Sequence, residues 1–342
     1  MRSWTFFLSA LAVGLALFAL SLGLGQSYLF FAGYVVLQYV VLATAWNILG
    51  GYCGYVNFGS AAFFALGAYS SVALHKLGSN IDRYASGLTA DILHALLPMP
   101  VPAMVLAGGL VAGVIGLGMG YLTLRLRGVF FAIATLAMAV VLQTLVINWN
   151  FVGGSRGAYV IRPDKVELGS LSLSYVEYLC LVMLLLAVTA LTVARLIERS
   201  RLGYGFATIR DDELAAEAAG VPTLRLKLVA TTVSGALMGM AGAPLPYYLG
   251  YVEPTATFGL PYAVNSIAMP MIGGTTTWAG PLIGAVLLGS LQQIATVTIS
   301  SAVNLLLVGL LLVVFVVLAP KGIVGLVLDR QRARVEPARG KA

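Results

Sequence analysis

Charge is scarce in this chain. Of its 342 residues, only 10% are Asp, Glu, Lys or Arg, while 60% are hydrophobic and the mean hydropathy is +0.95. So few charges cannot cover the surface of a water-soluble domain of this length, and the composition is that of a polytopic membrane protein. Cysteine is nearly absent as well. Cys53 and Cys180 lie in or beside apolar runs, give no disulfide or metal spacing, and read as small buried hydrophobes. The two histidines, His75 and His94, sit near loop ends without ligand-like partners, which favours surface positions over a metal or proton site. There is no G-x-x-x-x-G-K-[ST] loop to hold a nucleotide, and no nucleophile, His/carboxylate pair or metal cluster for catalysis. No Asp, Glu, Lys or Arg falls in the middle of an apolar run, where an ion-coupled carrier usually needs one.

What is present is a succession of apolar runs. At about 20 residues per crossing, they fall near 5–25, 29–49, 57–75, 101–124, 129–149, 174–195 and 226–249, a short piece at 262–272, then 279–299 and 302–319. About ten crossings with both ends cytoplasmic is the expectation. Met1-Arg2 and the apolar run behind it mimic a secretory signal, but no small-x-small site closes it, so it reads as a retained first span. The formal charge of +7 comes from basic residues at the ends of apolar runs and in a basic tail, 321–342. Membrane orientation accounts for them, and nucleic acid is not an expected partner. Arg2, the Arg125/Arg127 pair, the segment 199–227 and the tail all fall on the inner side of one topology. The loops 76–100, 150–173 and 250–261 then lie outside.

The one sustained polar passage runs from Arg199 to Lys227, flanked by Arg195, Arg199, Arg201, Arg210, Arg225 and Lys227. Asp211, Asp212 and Glu213 open an Ala-rich run, as carboxylates favour a helix N-terminus, and Gly220-Val221-Pro222 supplies the stop. The spacing predicts a helix of about ten residues, too short and too charged to span.

Two apolar runs are interrupted. One interruption carries Gly50, Gly51, Gly54, Asn57, Gly59 and Ser60, and the other carries Gly273, Gly274, Gly280, Pro281 and Gly284. Irregular backbone at membrane depth must face protein or a water-lined cavity, and two glycine-broken segments in opposite halves point to a solute path. A plainer reading stands beside this one. Gly50/Gly54, Gly109/Gly113, Gly116/Gly120, Gly235/Gly239 and Gly280/Gly284 fit the small-xxx-small spacing that lets helices approach closely. Asn57, Ser60, Gln143, Asn265, Ser266 and Gln292 are as compatible with holding helices together as with lining a path.

Five ordered blocks across about 40–320 resemble the LivM-type membrane permeases of branched-chain amino acid ABC importers. They are the Gly-rich run Gly54–Tyr69, Arg127-Gly-Val-Phe-Phe-Ala-Ile-Ala-Thr135-Leu, the loop Gly153-Gly154-Ser155-Arg156-Gly157, the passage Gly205–Gly220, and Ile272-Gly273-Gly274 through Gly280-Pro281. Asn57, Arg156 and Thr275–Thr277 depart from the family pattern, which bears on the solute rather than the fold.

The resemblance implies an all-α helical bundle, a single permease domain over 1–320 with broken or re-entrant helices, in the bacterial plasma (inner) membrane. It implies half of a translocation pathway for leucine, isoleucine or valine, the alternative being another small solute such as urea, an amide or other amino acids. Less favoured is an ion-coupled carrier. No catalytic, metal or cofactor site is expected in this chain, since ATP and Mg would be bound by two separate ATPase subunits. The other implied partners are a homologous second permease (LivH-like), an external solute-binding protein and the lipid bilayer. Coupling to the ATPase would fall to Arg210, Asp211, Asp212, Glu213, Leu214, Ala215, Glu217, Ala218 and Gly220. Leu214, Ala215 and Ala218 would supply the apolar contact, and the carboxylates would set register. The path would be lined by Asn57, Ser60, Phe63, Phe64, Phe130, Phe131, Thr135, Gln143, Asn265 and Ser266, a mainly apolar wall suited to brief passage of an aliphatic zwitterion.

Overall fold

A computed structural model describes residues 3–81, 99–168, 171–298 and 322–326, with isolated positions between 82 and 98 and between 306 and 314. Most of the expected crossing at 302–319, most of the tail 321–342 and most of the loop 76–100 lie outside the described residues. Nearly everything described is helix. The long helices are α1 (Ser3–Leu24), α2 (Ser27–Asn47), α3 (Ser60–Ser79), α4 (Val101–Thr123), α5 (Val129–Ile147), α6 (Tyr175–Glu198), α9 (Thr223–Gly242) and α13 (Ala279–Thr298). Between them come α7 (Arg201–Asp211), α8 (Glu213–Ala218), α10 (Leu245–Leu249), α11 (Pro254–Thr257) and α12 (Leu260–Gly273).

Among the described residues, seven helices are long and apolar enough to cross a membrane: α1, α2, α4, α5, α6, α9 with α10, and α13. Each coincides with an expected crossing, and the chain is a multi-pass membrane protein. The other two expected crossings that fall on described residues are helices of a different kind. α3 has the length but not the hydropathy, and its first thirteen residues bar Ser70 are buried among its neighbours. α12 is only 14 residues, about 21 Å at 1.5 Å per residue, and carries Pro270 inside it.

The all-α expectation needs one correction, in the loops. Ala158–Tyr159 (β1) pairs antiparallel with Tyr251–Val252 (β4), and Lys165–Leu168 (β2) pairs with Leu171–Ser174 (β3). These loops leave the bundle at the end away from α7 and α8, where short ladders satisfy backbone groups that no helix can. β3 runs directly into α6, whose start is fixed by the Glu177 carboxylate accepting from the Ser174 amide at 2.9 Å.

The centre of the bundle is a backbone-to-backbone crossing of α3, α4 and α9. A Cβ on Gly67 would lie 1.9 Å from the Gly239 carbonyl, and one on Gly239 would lie 2.6 Å from the Gly108 carbonyl. On the next turn of α9, a Cβ on Gly242 would sit 1.9 Å from the Phe64 carbonyl. Lipid tails are as apolar as leucine, so helices in a bilayer gain most from close van der Waals contact, which small residues permit. The plainer reading of the glycine spacings therefore holds in this part of the chain. Cys53 and Cys180 are buried and unbridged, as expected. His75 is half-buried rather than on the surface, because its Nδ1 lies 3.2 Å from the Tyr247 hydroxyl.

Candidate functional site: a polar helix pair over two broken helices

The polar passage folds as two helices where one was expected. Ser200 accepts from the amides of Leu202 and Gly203, so α7 already starts at Arg201. Its two glycines are close-approach positions. A Cβ on Gly203 would lie 2.3 Å from the Ile197 carbonyl, and one on Gly205 would meet Leu226 at 2.7 Å. Asp212 is extended, ends α7, and caps α8 by accepting from the Ala215 amide at 3.0 Å. Gly220, with φ +83°, stops the segment where the sequence predicts.

Three sets of contacts tie this pair to the spans. The Arg210 guanidinium lies along the first glycine-rich break, with Nη1 3.5 Å from the Gly51 carbonyl, and a Cβ on Gly54 would meet its Cγ at 2.9 Å. Glu217 accepts from Arg127 at 2.8 Å and from Thr223 at 2.9 Å. Glu213 turns inward and accepts from Lys227 at 2.6 Å and from the Tyr55 hydroxyl. Burial alone would push the Glu213 carboxyl up. Hydrogen bonds from Lys227 and Tyr55 and the charges of Lys227 and Arg127 outweigh it and hold this group below the usual glutamate value. Burial, reinforced by the neighbouring carboxylate, pushes the Tyr55 hydroxyl up and keeps it a donor.

The two glycine-rich interruptions meet below this helix pair. α2 ends in a π-helical turn, Ile48–Tyr52, a local widening that breaks the regular α-helix. A Cβ on Gly51 would lie 2.8 Å from the Thr275 carbonyl of the second interruption. Glu198, at the end of α6, bridges the two, accepting from the Trp278 amide at 2.7 Å and from the Tyr52 hydroxyl at 3.4 Å. Arg195 lies over the rings of Phe6 and Trp278, 4.0 and 5.6 Å from their centroids.

Eight of the ten residues named for the path fall into three groups. Asn57 and Thr135 hold the irregular loop before α3: Asn57 Oδ1 accepts from the Gly59 amide at 2.7 Å, and Thr135 Oγ1 accepts from the Phe58 amide at 3.2 Å. Ser60 and Ser266 join α3 to α12 through a 2.7 Å hydroxyl pair, while Asn265 joins Gln292 of α13 at 2.9 Å and Tyr39 of α2 at 3.1 Å. Phe63 packs on Gly116 and Gly235, Phe64 on Tyr262, and Phe131 edge-on to Tyr55. Phe130 and Gln143 stand apart. Phe130 is 72% exposed on the outward face of α5, and Gln143, half-buried, lies about two thirds of the helix farther along.

Sequence reasoning missed Lys227, which it treated as a flank. It is 2% exposed, lies inside the Thr223–Leu249 span, and donates to three acceptors. Its signal was a lysine set between Leu226 and Leu228 at the head of an apolar run. Tyr55 and Glu198 left no such mark.

Residues 28–316 match the family described as branched-chain amino acid transport system / permease component. This chain belongs to that family. Among relatives of the permease, LivM, the high-affinity branched-chain amino acid transport system permease protein of Salmonella typhimurium, is 27% identical over 89% of this chain and 71% of its own length. LivM of Escherichia coli is 26% identical over the same shares. LivH of Escherichia coli is 22% identical over 84% of this chain and 91% of its own length. No solved structure matches the chain.

Proposed function

We propose that the chain is one of two homologous permease subunits of an ATP-driven importer in the bacterial inner membrane, forming half of a path for leucine, isoleucine and valine. Membership of the permease family and relatives of both the LivM and LivH kinds support this reading. The observation that carries the coupling half of it is the exposed face of α8. Leu214 is 64% exposed, and Ala215 and Ala218 are exposed with it, while Ala216 alone on that helix is buried. A short helix anchored by its carboxylates and presenting a leucine and two alanines outward suits the groove of an ATPase partner. Two ATPases, the sister permease and an external binding protein complete the assembly, with about ten crossings and both ends inside.

The mechanism follows from the anchoring. ATP-driven closure of the ATPase pair moves α7 and α8 as a unit and tilts α6 and α9, to which they are joined, so access alternates. The Asn57/Thr135 loop and the Ser60/Ser266 and Asn265/Gln292 pairs lie where the broken helices would part.

The test is purification of the complex from its host, with ATPase activity measured alongside candidate solutes and binding protein. Recovery of the ATPases and a sister permease, with hydrolysis raised by binding protein loaded with a branched-chain amino acid, supports the reading. A lone chain contradicts it. In the same preparation Leu214→Asp is expected to abolish transport while leaving the spans folded; transport at the wild-type rate would refute the contact assigned to that face.

A further inference from the structure

One buried ammonium joins five parts of the structure. Lys227 belongs to α9 and donates to Glu213 of α8 at 2.6 Å, to the Tyr55 hydroxyl in the irregular loop at 3.2 Å, and to the Leu124 carbonyl at the end of α4 at 3.1 Å. The Tyr55 ring lies 4.7 Å from the same nitrogen and packs edge-on, at 5.0 Å, against Phe131 of α5. All three ammonium donors are used, and the Glu213 carboxylate is shared between Lys227 and Tyr55. Two other polar tethers of the helix pair are weaker. Arg127 is half exposed where it meets Glu217, and the Arg210 contact to Gly51 is long at 3.5 Å. Exposed pairs of that kind hold little, whereas separating a buried pair leaves a charge without a partner.

The geometry points to Lys227, Glu213 and Tyr55 as the positioning residues that transmit movement of α8 to the broken end of α2 and the loop before α3. This inference rests on the coupling reading above and names the connection through which coupling passes. When α8 is displaced, the Glu213 carboxylate either drags the Tyr55 loop and α9 with it or leaves Lys227 unpaired, so the movement is passed on rather than absorbed. The loop that moves also carries Asn57, whose carbonyl accepts from the Trp46 indole at 2.9 Å and whose side chain holds the first turn of α3. A purely structural ion pair would be replaceable by apolar side chains of similar size at little loss. A transmitting one would not.

The test uses the complete importer reconstituted with its binding protein, and the readout is solute transported per ATP hydrolysed, which a structural role would not move. Two variants serve: the neutral pair Lys227→Met with Glu213→Met, and Tyr55→Phe, which removes a single hydroxyl and keeps the packing. Both are expected to hydrolyse ATP in response to loaded binding protein, with the transport-to-hydrolysis ratio about fivefold or more below wild type for the double variant and lowered less for Tyr55→Phe. A wild-type ratio in both, or transport and hydrolysis falling together in proportion to the complex recovered, overturns the inference. If the double variant does not assemble, Tyr55→Phe decides alone by the same ratio. A wild-type complex that holds no ATPase would instead remove the coupling reading, and this inference with it, before any variant is made.

Discussion

A methyl group is too large for several of this chain's glycines, and which ones follows from where backbones cross. Gly67→Ala places its Cβ against the Gly239 carbonyl at the centre of the bundle, while Gly118→Ala meets nothing within 4 Å. The first is expected to lower stability by about 1–3 kcal/mol and the second to change it by no more than about 0.5 kcal/mol, read as thermal unfolding in detergent. Equal midpoints would refute the packing described for α3 and α9. Glu213 makes a pH prediction. Because its folded pKa is depressed, the stability it lends is complete above the ordinary glutamate value of about 4.3 and is lost as pH falls through its own lower value. The stability gap between the wild type and Glu213→Gln is therefore constant through neutral pH and closes only in acid, and a gap that closes near neutrality would contradict the assignment. At this scale the sequence marked the glycines through their spacing, and it marked Asn57, Ser60, Asn265 and Ser266 as polar groups among apolar ones. It could not pair them, because Ser60 finds Ser266 and Glu213 finds Lys227 only after distant helices have packed.

The helix pair α7–α8 is the element on which the coupling reading turns, and its division at Asp212 can be tested directly. Asp212→Ala removes the acceptor that caps α8, at a cost of about 1 kcal/mol to that helix. Frayed coupling contacts are the expected result, seen as weaker stimulation of ATP hydrolysis by loaded binding protein with the complex still assembled. Full stimulation would show that α8 needs no cap to work. The stop at Gly220 was legible because a positive φ suits glycine and because proline follows two residues later. The start at Arg201 was not, since Gly203 and Gly205 weaken the helical pattern and their purpose, close approach to Ile197 and Leu226, is visible only in the packed chain. The apolar runs told where seven spans lie. They could not tell that α3, with less hydropathy than a lipid-facing span, would be wrapped by α4, α9, α12 and α5.

For the whole molecule, connectivity gives the bundle two unlike ends. One carries α7, α8, Arg127 and both glycine-rich breaks; the other carries the β1–β4 and β2–β3 pairs and the Arg162 guanidinium bound to the carbonyls of Tyr247 and Tyr248 at 2.5 and 2.9 Å. The proposed orientation puts the first end, with its basic clusters, in the cytoplasm. A cysteine introduced at Tyr204 of α7, which is 72% exposed, is accordingly expected to react with an impermeant thiol reagent only in inverted vesicles, and one at Ile161, which is 85% exposed, only in intact cells. The opposite pattern would invert the topology and remove α8 from any ATPase. The central claim, that this permease moves a branched-chain amino acid at the expense of ATP hydrolysed by partners, is tested most directly by uptake of radiolabelled leucine into proteoliposomes holding the purified complex and its binding protein. Uptake that requires ATP on the α8 side and is indifferent to ion gradients is the predicted result. Uptake by this chain alone, driven by an ion gradient, would contradict the account.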